Sequence, residues 1–329
     1  MGYPRIEVDT LKIKENTKKM VFECKKRHIK VVGVTKLFCG NKKIAKALVD
    51  SKVDILGDSR IENLKKLSSF KLPKMLIRLP MISRVKEVVK YSDIALVSEI
   101  DSIKRISKEA FKRKKEYKII LMVDLGDLRE GIYFEDEIRE TIKEILKLKN
   151  INLIGIGTNL TCFGGVIPTY SNLSRLVNIK KSIENKFNIR LDTISGGNSG
   201  TISLFNKKIP KEINQLRLGA SLSLGIGLND KPIRGLNNDT FKLILEIVKI
   251  KYKKEKVIGI CIRIDGIKAK DLTPFDKSIS VIDVNNDYLF IDFTKAKKRY
   301  SVGDKIKFLI SYKATLVAMT SKYVYKDIK

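Results

Sequence analysis

The chain has 329 residues, a hydrophobic fraction of 43%, no Trp, one His and a formal net charge of +30. That length can hold two cores. Its apolar runs are too short and too often broken by Lys to span a bilayer, and Met1-Gly2-Tyr3-Pro4-Arg5 lacks the apolar stretch of a signal peptide. A single His argues against a Ser-His-Asp triad and a His-rich metal site. Four Cys (Cys24, Cys39, Cys162, Cys261) without a CxxC pair argue against zinc and disulfides and for a reducing cytoplasm.

The positive charge is spread through nearly every predicted helix, with abundant Ile and Asn beside it, as an AT-rich genome would encode. No nucleic-acid signature accompanies it, so it reads as a solvated basic surface, with no nucleic-acid or membrane partner.

In chain order, Arg5-Ile6-Glu7-Val8-Asp9 alternates as a short strand, and a helical pattern opens at Thr10. Val31-Val32-Gly33-Val34-Thr35-Lys36 is a short apolar run that reads as a buried parallel strand and breaks at Gly40-Asn41. A unit then repeats. Helical stretches at 42–51, 61–68, 85–91, 102–113, 136–148 and 173–187 alternate with strands at 53–58, 74–79, 94–97, 119–124, 153–157 and 192–195. A short helix follows, and then a last strand at 215–218. Eight strands in strict β/α alternation predict parallel pairing through right-handed crossovers, closed as an α/β, TIM-type barrel.

Near Lys231-Pro232-Ile233-Arg234-Gly235 turn chemistry takes over. The stretches 241–250, 257–264, 279–283, 288–293 and 306–312 are strand-like, with a hairpin turn at Asn285-Asn286-Asp287. The expected division is a cofactor-binding barrel over 1–230 and an antiparallel β domain over 236–329.

In such a barrel the carboxyl ends of the strands converge on one face. Here they carry Lys36, Asp58, Asp124 to Arg129, Thr158 to Cys162, Ser195 to Gly200, and Arg217 to Ala220. Lys36 reads either as an amine desolvated for Schiff-base chemistry or as a side chain that snorkels to solvent. Ser195-Gly196-Gly197-Asn198-Ser199-Gly200 reads either as a phosphate nest or as a glycine turn with a capping Asn or Ser. An amine, a phosphate nest and two arginines together suit pyridoxal 5'-phosphate. A phosphosugar aldolase would use similar parts.

The order of motifs resembles the alanine racemase-like enzymes of fold type III, which depend on pyridoxal phosphate, and within them the ornithine racemase group. The resemblance is carried by Ile6 to Asp9, Val32 to Lys36, Asp124 to Ile132, Gly155 to Cys162, Ser195 to Ser199, Arg217-Leu218-Gly219 and the tail from Tyr312 to Ser321. It implies a dimeric amino-acid racemase, an isomerase that removes the Cα proton on one face and returns it on the other. Lys36 would hold the cofactor and act as one acid/base. Arg217 would meet the ring nitrogen, and since Arg keeps its proton the ring would be a weaker electron sink. Arg129 would meet the phenolic oxygen or the substrate carboxylate, and Asn159 would lie in a cofactor loop. Ser195, Gly196, Gly197, Asn198 and Ser199, with Gly219 and Ala220, would cradle the phosphate, and Tyr312 would lie near it.

The favoured substrate is ornithine or another basic amino acid, with alanine also compatible. Asp58, Asp127 and Glu130 are the candidates to meet a distal ammonium. The second base of such enzymes is a tyrosine from the partner's β domain, which implies a head-to-tail homodimer. Tyr252 and Tyr300 lie in that domain here, and neither context singles one out. Two positions depart from the family pattern. Met122 replaces a lysine, and Lys254 to Gly259 runs directly into Ile260, where ornithine racemase-like sequences are longer. A cofactor-binding protein without turnover, or a cofactor-independent racemase using Cys39 and Cys162, are the alternative readings.

Overall fold

The computed structural model describes residues 2–161 and 164–329. These form two compact units. In the first (14–36 and 40–236), eight parallel strands close on themselves. After a first strand β1 (Arg5–Val8), they are β2 (Lys30–Val34), β3 (Ile55–Asp58), β4 (Lys74–Leu76), β5 (Ile94–Val97), β6 (Tyr117–Met122), β7 (Ile151–Gly157), β8 (Thr193–Ser195) and β9 (Gln215–Leu218). Closure pairs β2 with β9, with Val32 opposite Arg217. Every barrel strand corresponds to one predicted from the apolar runs.

Those runs are continuous because both faces of the strands are covered. All residues of β3, β5 and β9 are buried. Val32, Ile55, Met75, Ile94, Leu96, Ile120 and Met122 form one apolar cluster. Met122 is fully buried in it, so the position that resembles a family lysine serves packing here.

Helix starts follow caps more than periodicity. Asn41 Oδ1 accepts from Lys43 N and Ile44 N and opens the helix Lys42–Asp50. Thr169 and Asn172 form a reciprocal capping box, so the helix Tyr170–Phe187 begins three residues before its first apolar position, Leu173.

The second unit comprises residues 2–13, 37–39 and 237–329. Its strands are β10 (Phe241–Lys253), β11 (Lys256–Ile262), β12 (Leu272–Pro274), β13 (Ser280–Val284), β14 (Tyr288–Asp292), β15 (Lys305–Ile310) and β16 (Tyr325–Ile328). The antiparallel order is β12-β15-β10-β11-β14-β13. Asn285 makes the expected hairpin turn, its Oδ1 accepting from Asp287 N (3.0 Å) and Tyr288 N (2.7 Å).

Two expectations are corrected. β1 lies within 1–230 but belongs to this second unit: it pairs antiparallel with β10, Arg5 opposite Ile244, and parallel with β16. Its alternating burial suits a sheet with one covered face rather than a barrel wall. The stretch 306–312 is also strand only as far as Ile310. Ser311 Oγ accepts from Ala314 N (3.1 Å) and caps a helix, Tyr312–Thr320. Among the described residues no helix is long and apolar enough to cross a membrane.

Candidate active site

Lys36 stands two residues past the end of β2 and is half-buried. Its predecessor Thr35 is fully buried and tied to the next strand. Thr35 N donates to Gly57 O (2.8 Å), and its hydroxyl donates to Asp58 Oδ2 (2.6 Å). Asp58 is also fully buried. Its Oδ1 accepts from Arg60 N (2.9 Å) and Asn63 Nδ2 (3.1 Å). Burial pushes its carboxyl above the ordinary Asp range, while those donors and the nearby Lys36 charge pull the other way.

On the other side of the barrel seam, the Arg217 side chain is buried beneath the ends of β7 and β8. One guanidinium nitrogen donates to Ser195 Oγ and another to the Thr158 carbonyl at 2.6 Å. Arg217 N also donates to Gly197 O (3.0 Å), which joins the glycine loop to β9. A guanidinium cannot be deprotonated in a protein, so this is a fixed buried cation.

The glycine loop is cross-braced. Ser199 Oγ accepts from Gly219 N (3.3 Å) and Ser221 N (3.1 Å) and lies 3.1 Å from Ser221 Oγ. The loops after β8 and β9 therefore meet on one hydroxyl, with Ala220 between its two amide donors. Asn198 caps the turn Ser199–Leu204, its Oδ1 accepting from Gly200 N (2.8 Å). The capped turn, one of the two sequence readings of this segment, is therefore present, and the same segment also joins the loops after β8 and β9. Asn198 Nδ2 donates to Asn159 Oδ1 (3.0 Å) and to Leu160 O (2.8 Å). Asn159 Nδ2 donates to Glu130 Oε1 (3.0 Å), and Glu130 pairs with Arg129 Nε at 2.8 Å. A relay from Arg129 to the glycine loop therefore crosses the ends of β6, β7 and β8.

Thr158 was singled out for no role by its sequence, yet its Oγ1 is buried with no hydrogen-bond partner among the described residues. Its place directly after β7, within the segment Gly155 to Cys162, is the signal that could have marked it. This orphaned hydroxyl, the fixed Arg217 cation, the braced Ser199 corner and an amine on Lys36 fit pyridoxal phosphate: a group for the aldehyde, donors for phosphate, and a donor for the ring.

The acidic candidates separate by exposure. Asp58 and Asp127 are buried, and Asp127 Oδ1 accepts from Val166 N (3.3 Å). Asp58 accepts from Thr35, Arg60 and Asn63 and braces the ends of β2 and β3. Glu130 keeps some access, with 11% of its side chain exposed.

Tyr300 is held by a hydrogen bond to Asp276 Oδ2 (2.6 Å) and stacked on Phe293. Burial first, and then the Asp276 carboxylate, push its phenol above the ordinary range. Tyr252 is 70% exposed, near the turn between β10 and β11. Tyr312 is the first residue of its helix in the second unit. Cys39 Sγ lies 3.8 Å from Met319 O, and Cys162 lies outside the described residues. A cleft of about 760 Å³ lined by Met20, Phe22, Phe205 and Ile233 includes none of the candidate site residues.

The family model described as alanine racemase, N-terminal domain, matches residues 8–225. The chain is 40% identical to ornithine racemase of Acetoanaerobium sticklandii, covering 99% of each chain. It is 35% identical to lysine racemase of Thermotoga maritima, covering 99% of this chain and 98% of the relative. These alignments run to 352 and 353 positions against a chain of 329 residues, so each relative has residues with no counterpart here. Among solved structures, alanine racemase from Bartonella henselae with covalently bound pyridoxal phosphate superposes with a TM-score of 0.77, covering 100% of both chains. At 16% identity that likeness is one of fold.

Proposed function

The chain belongs to the alanine racemase family of fold type III, pyridoxal-phosphate-dependent enzymes and is an amino-acid racemase, and from that premise we propose that it interconverts the L and D forms of a basic amino acid, ornithine first. The observation that carries the chemistry is that β2, which leads into Lys36, pairs at the seam with β9, which holds a buried, doubly bonded Arg217. The basic substrate is supported by full-length similarity to an ornithine and a lysine racemase.

Pyridoxal phosphate, when bound, supplies the electron sink that makes the Cα proton removable. Lys36 would hold it and would carry the proton to and from one face of Cα. Arg217 would offer the ring nitrogen a hydrogen bond without surrendering its proton. Ser195, Gly196, Gly197, Asn198 and Ser199, with Gly219 and Ala220, would receive the phosphate, and Tyr312 joins that set by resemblance. Arg129, positioned by Glu130, presents a fork suited to a carboxylate. Asn159 holds Glu130 and Asn198 in register.

Racemisation needs a second base on the opposite face. Tyr300 is a poor one while its proton is committed to Asp276. By family resemblance, that base would come from the β domain of the partner in a head-to-tail homodimer, in a cytoplasmic enzyme.

The test is L-ornithine in D₂O with the loaded enzyme, following optical rotation and deuterium at Cα. Loss of rotation with deuterium uptake supports the reading. Tight cofactor binding with no exchange on ornithine, lysine or alanine refutes it in favour of a cofactor-binding protein without turnover.

A further inference from the structure

The turn that carries Lys36 is pinned at both ends to one corner, the junction of β3 with the helix Ile61–Lys66. At its start, Thr35 is fixed by its amide to Gly57 O and by its hydroxyl to Asp58 Oδ2. At its finish, Gly40 N donates to Thr35 O (3.3 Å). Gly40 has φ +62°, and a Cβ there would lie 2.9 Å from Asn63 Cβ, so the loop sits directly on Asn63. Asn63 in turn donates to the carboxylate that holds Thr35. Asp58 thus accepts from Thr35, Arg60 and Asn63; Thr35 directly precedes Lys36, and Asn63 lies under Gly40 at the far end of the turn.

A buried carboxylate is costly unless hydrogen bonds compensate it. An apolar pair at 35 and 58 would pack the strand ends without that cost, so packing alone does not account for this arrangement. Its geometric effect is to fix the backbone from which the Lys36 side chain departs. Nζ lies at the end of a flexible four-carbon stem, so a small rotation of that backbone displaces the amine by more than an ångström.

We propose that Asp58, acting through the Thr35 hydroxyl, is a positioning residue for Lys36. It sets where the amine meets the cofactor aldehyde and the substrate Cα. The proposal rests on the assignment of Lys36 as the residue that holds pyridoxal phosphate. It predicts that what matters at position 35 is a hydroxyl, and at position 58 a carboxylate that accepts from both sides. Asn at 58 presents an N–H to donors and breaks the arrangement without changing its size.

The experiment compares Thr35→Val, Thr35→Ser and Asp58→Asn with the unaltered enzyme. The rate at which pyridoxal phosphate becomes borohydride-fixable on the stripped protein is measured first. The near-visible circular dichroism of the bound cofactor, kcat and KM follow. All are measured below each variant's melting temperature. Thr35→Val and Asp58→Asn should lower attachment rate and kcat by about 10- to 100-fold, the scale of a displacement of about 1 Å. KM should change little and the dichroic band should weaken. Thr35→Ser should restore both.

Attachment and kcat of Thr35→Val equal to those of the unaltered enzyme would overturn the proposal. So would a Thr35→Ser variant as impaired as Thr35→Val, since the hydroxyl would then be irrelevant. Borohydride fixation surviving in Lys36→Ala would instead overturn the assignment beneath it, and that single variant separates the two failures.

Discussion

Arg217→Lys keeps the charge of the buried cation and removes its fork. In the structure the guanidinium reaches two acceptors at once, Ser195 Oγ and the Thr158 carbonyl. Hydrogen bonds from a charged donor contribute about 1.5–3 kcal/mol each. An ammonium on a single stem can serve one of these acceptors but not both in the same plane. The expected loss is therefore about 1.5–3 kcal/mol, with one buried oxygen left short of a donor. If Arg217 acts on the reacting system, the loss falls on catalysis, and kcat/KM drops by about 10- to 150-fold. If it only joins β7, β8 and β9, the loss falls on folding, and Tm drops by about 3–10 °C. Polarimetric kinetics on ornithine and a thermal melt of the loaded enzyme, run on the same preparation, separate the two. The active-site reading expects the larger part in kcat/KM. A variant within about twofold of the unaltered kcat/KM, with Tm lowered, would show that Arg217 is a structural brace and would remove the central argument for its contact with the cofactor ring.

Asn198→Ala removes donors to Asn159 and Leu160 and the acceptor for Gly200 N. The glycine loop should loosen and cofactor dissociate about tenfold faster or more, the scale of one or two net hydrogen bonds, as read from loss of bound absorbance on dilution. Asp276 is held at about 2, chiefly by the Ser278 hydroxyl and then by Tyr300. A depressed carboxyl pKa stabilises the fold above its ordinary value and loses that contribution as pH falls toward the folded one. Tm should therefore decline between about pH 4 and pH 2, and Asp276→Asn should flatten that stretch. A formal charge of +30 repels a cationic substrate over about 30 Å at 0.01 M salt but only about 8 Å at 0.15 M. On ornithine, kcat/KM should rise with ionic strength and on alanine it should not. A fall with salt on ornithine would point to a local acidic funnel such as one built on Glu130.

The barrel was legible because covered parallel strands leave short apolar runs, such as Ile94 to Val97, that no other element explains. Lys36 and the glycine segment were legible because polar residues at the ends of such runs must gather at one end of the barrel, whereas Arg217 stood out as a charge inside the last apolar strand. The bonds between them were not. Thr35 and Asp58, or Asn159 and Asn198, belong to different β/α units, and nothing local ties one residue type to the other. The first strand was legible, but its pairing escaped for the same reason. Arg5 to Val8 alternates as any half-covered strand does, and its partners β10 and β16 come from the far end of the chain.

Closure of the barrel explains why a lysine from the first barrel strand and an arginine from the last can serve one site. In an open sheet β2 and β9 would be the two edges, separated by every strand between them. Joined at the seam, Val32 lies opposite Arg217 in the ladder, and Lys36 follows Val32 by little more than a turn of chain. The two basic residues then stand on adjacent strands without being paired by sequence, and each is restrained by a different neighbour. Lys36 is set by β3 through Asp58, and Arg217 by β7 and β8 through Thr158 and Ser195. Because those restraints share no residue, losses from Thr35→Val and Arg217→Lys should add in the double variant, within about 0.5 kcal/mol. A double variant no worse than the poorer single one would mean that the two sides of the seam move as one body.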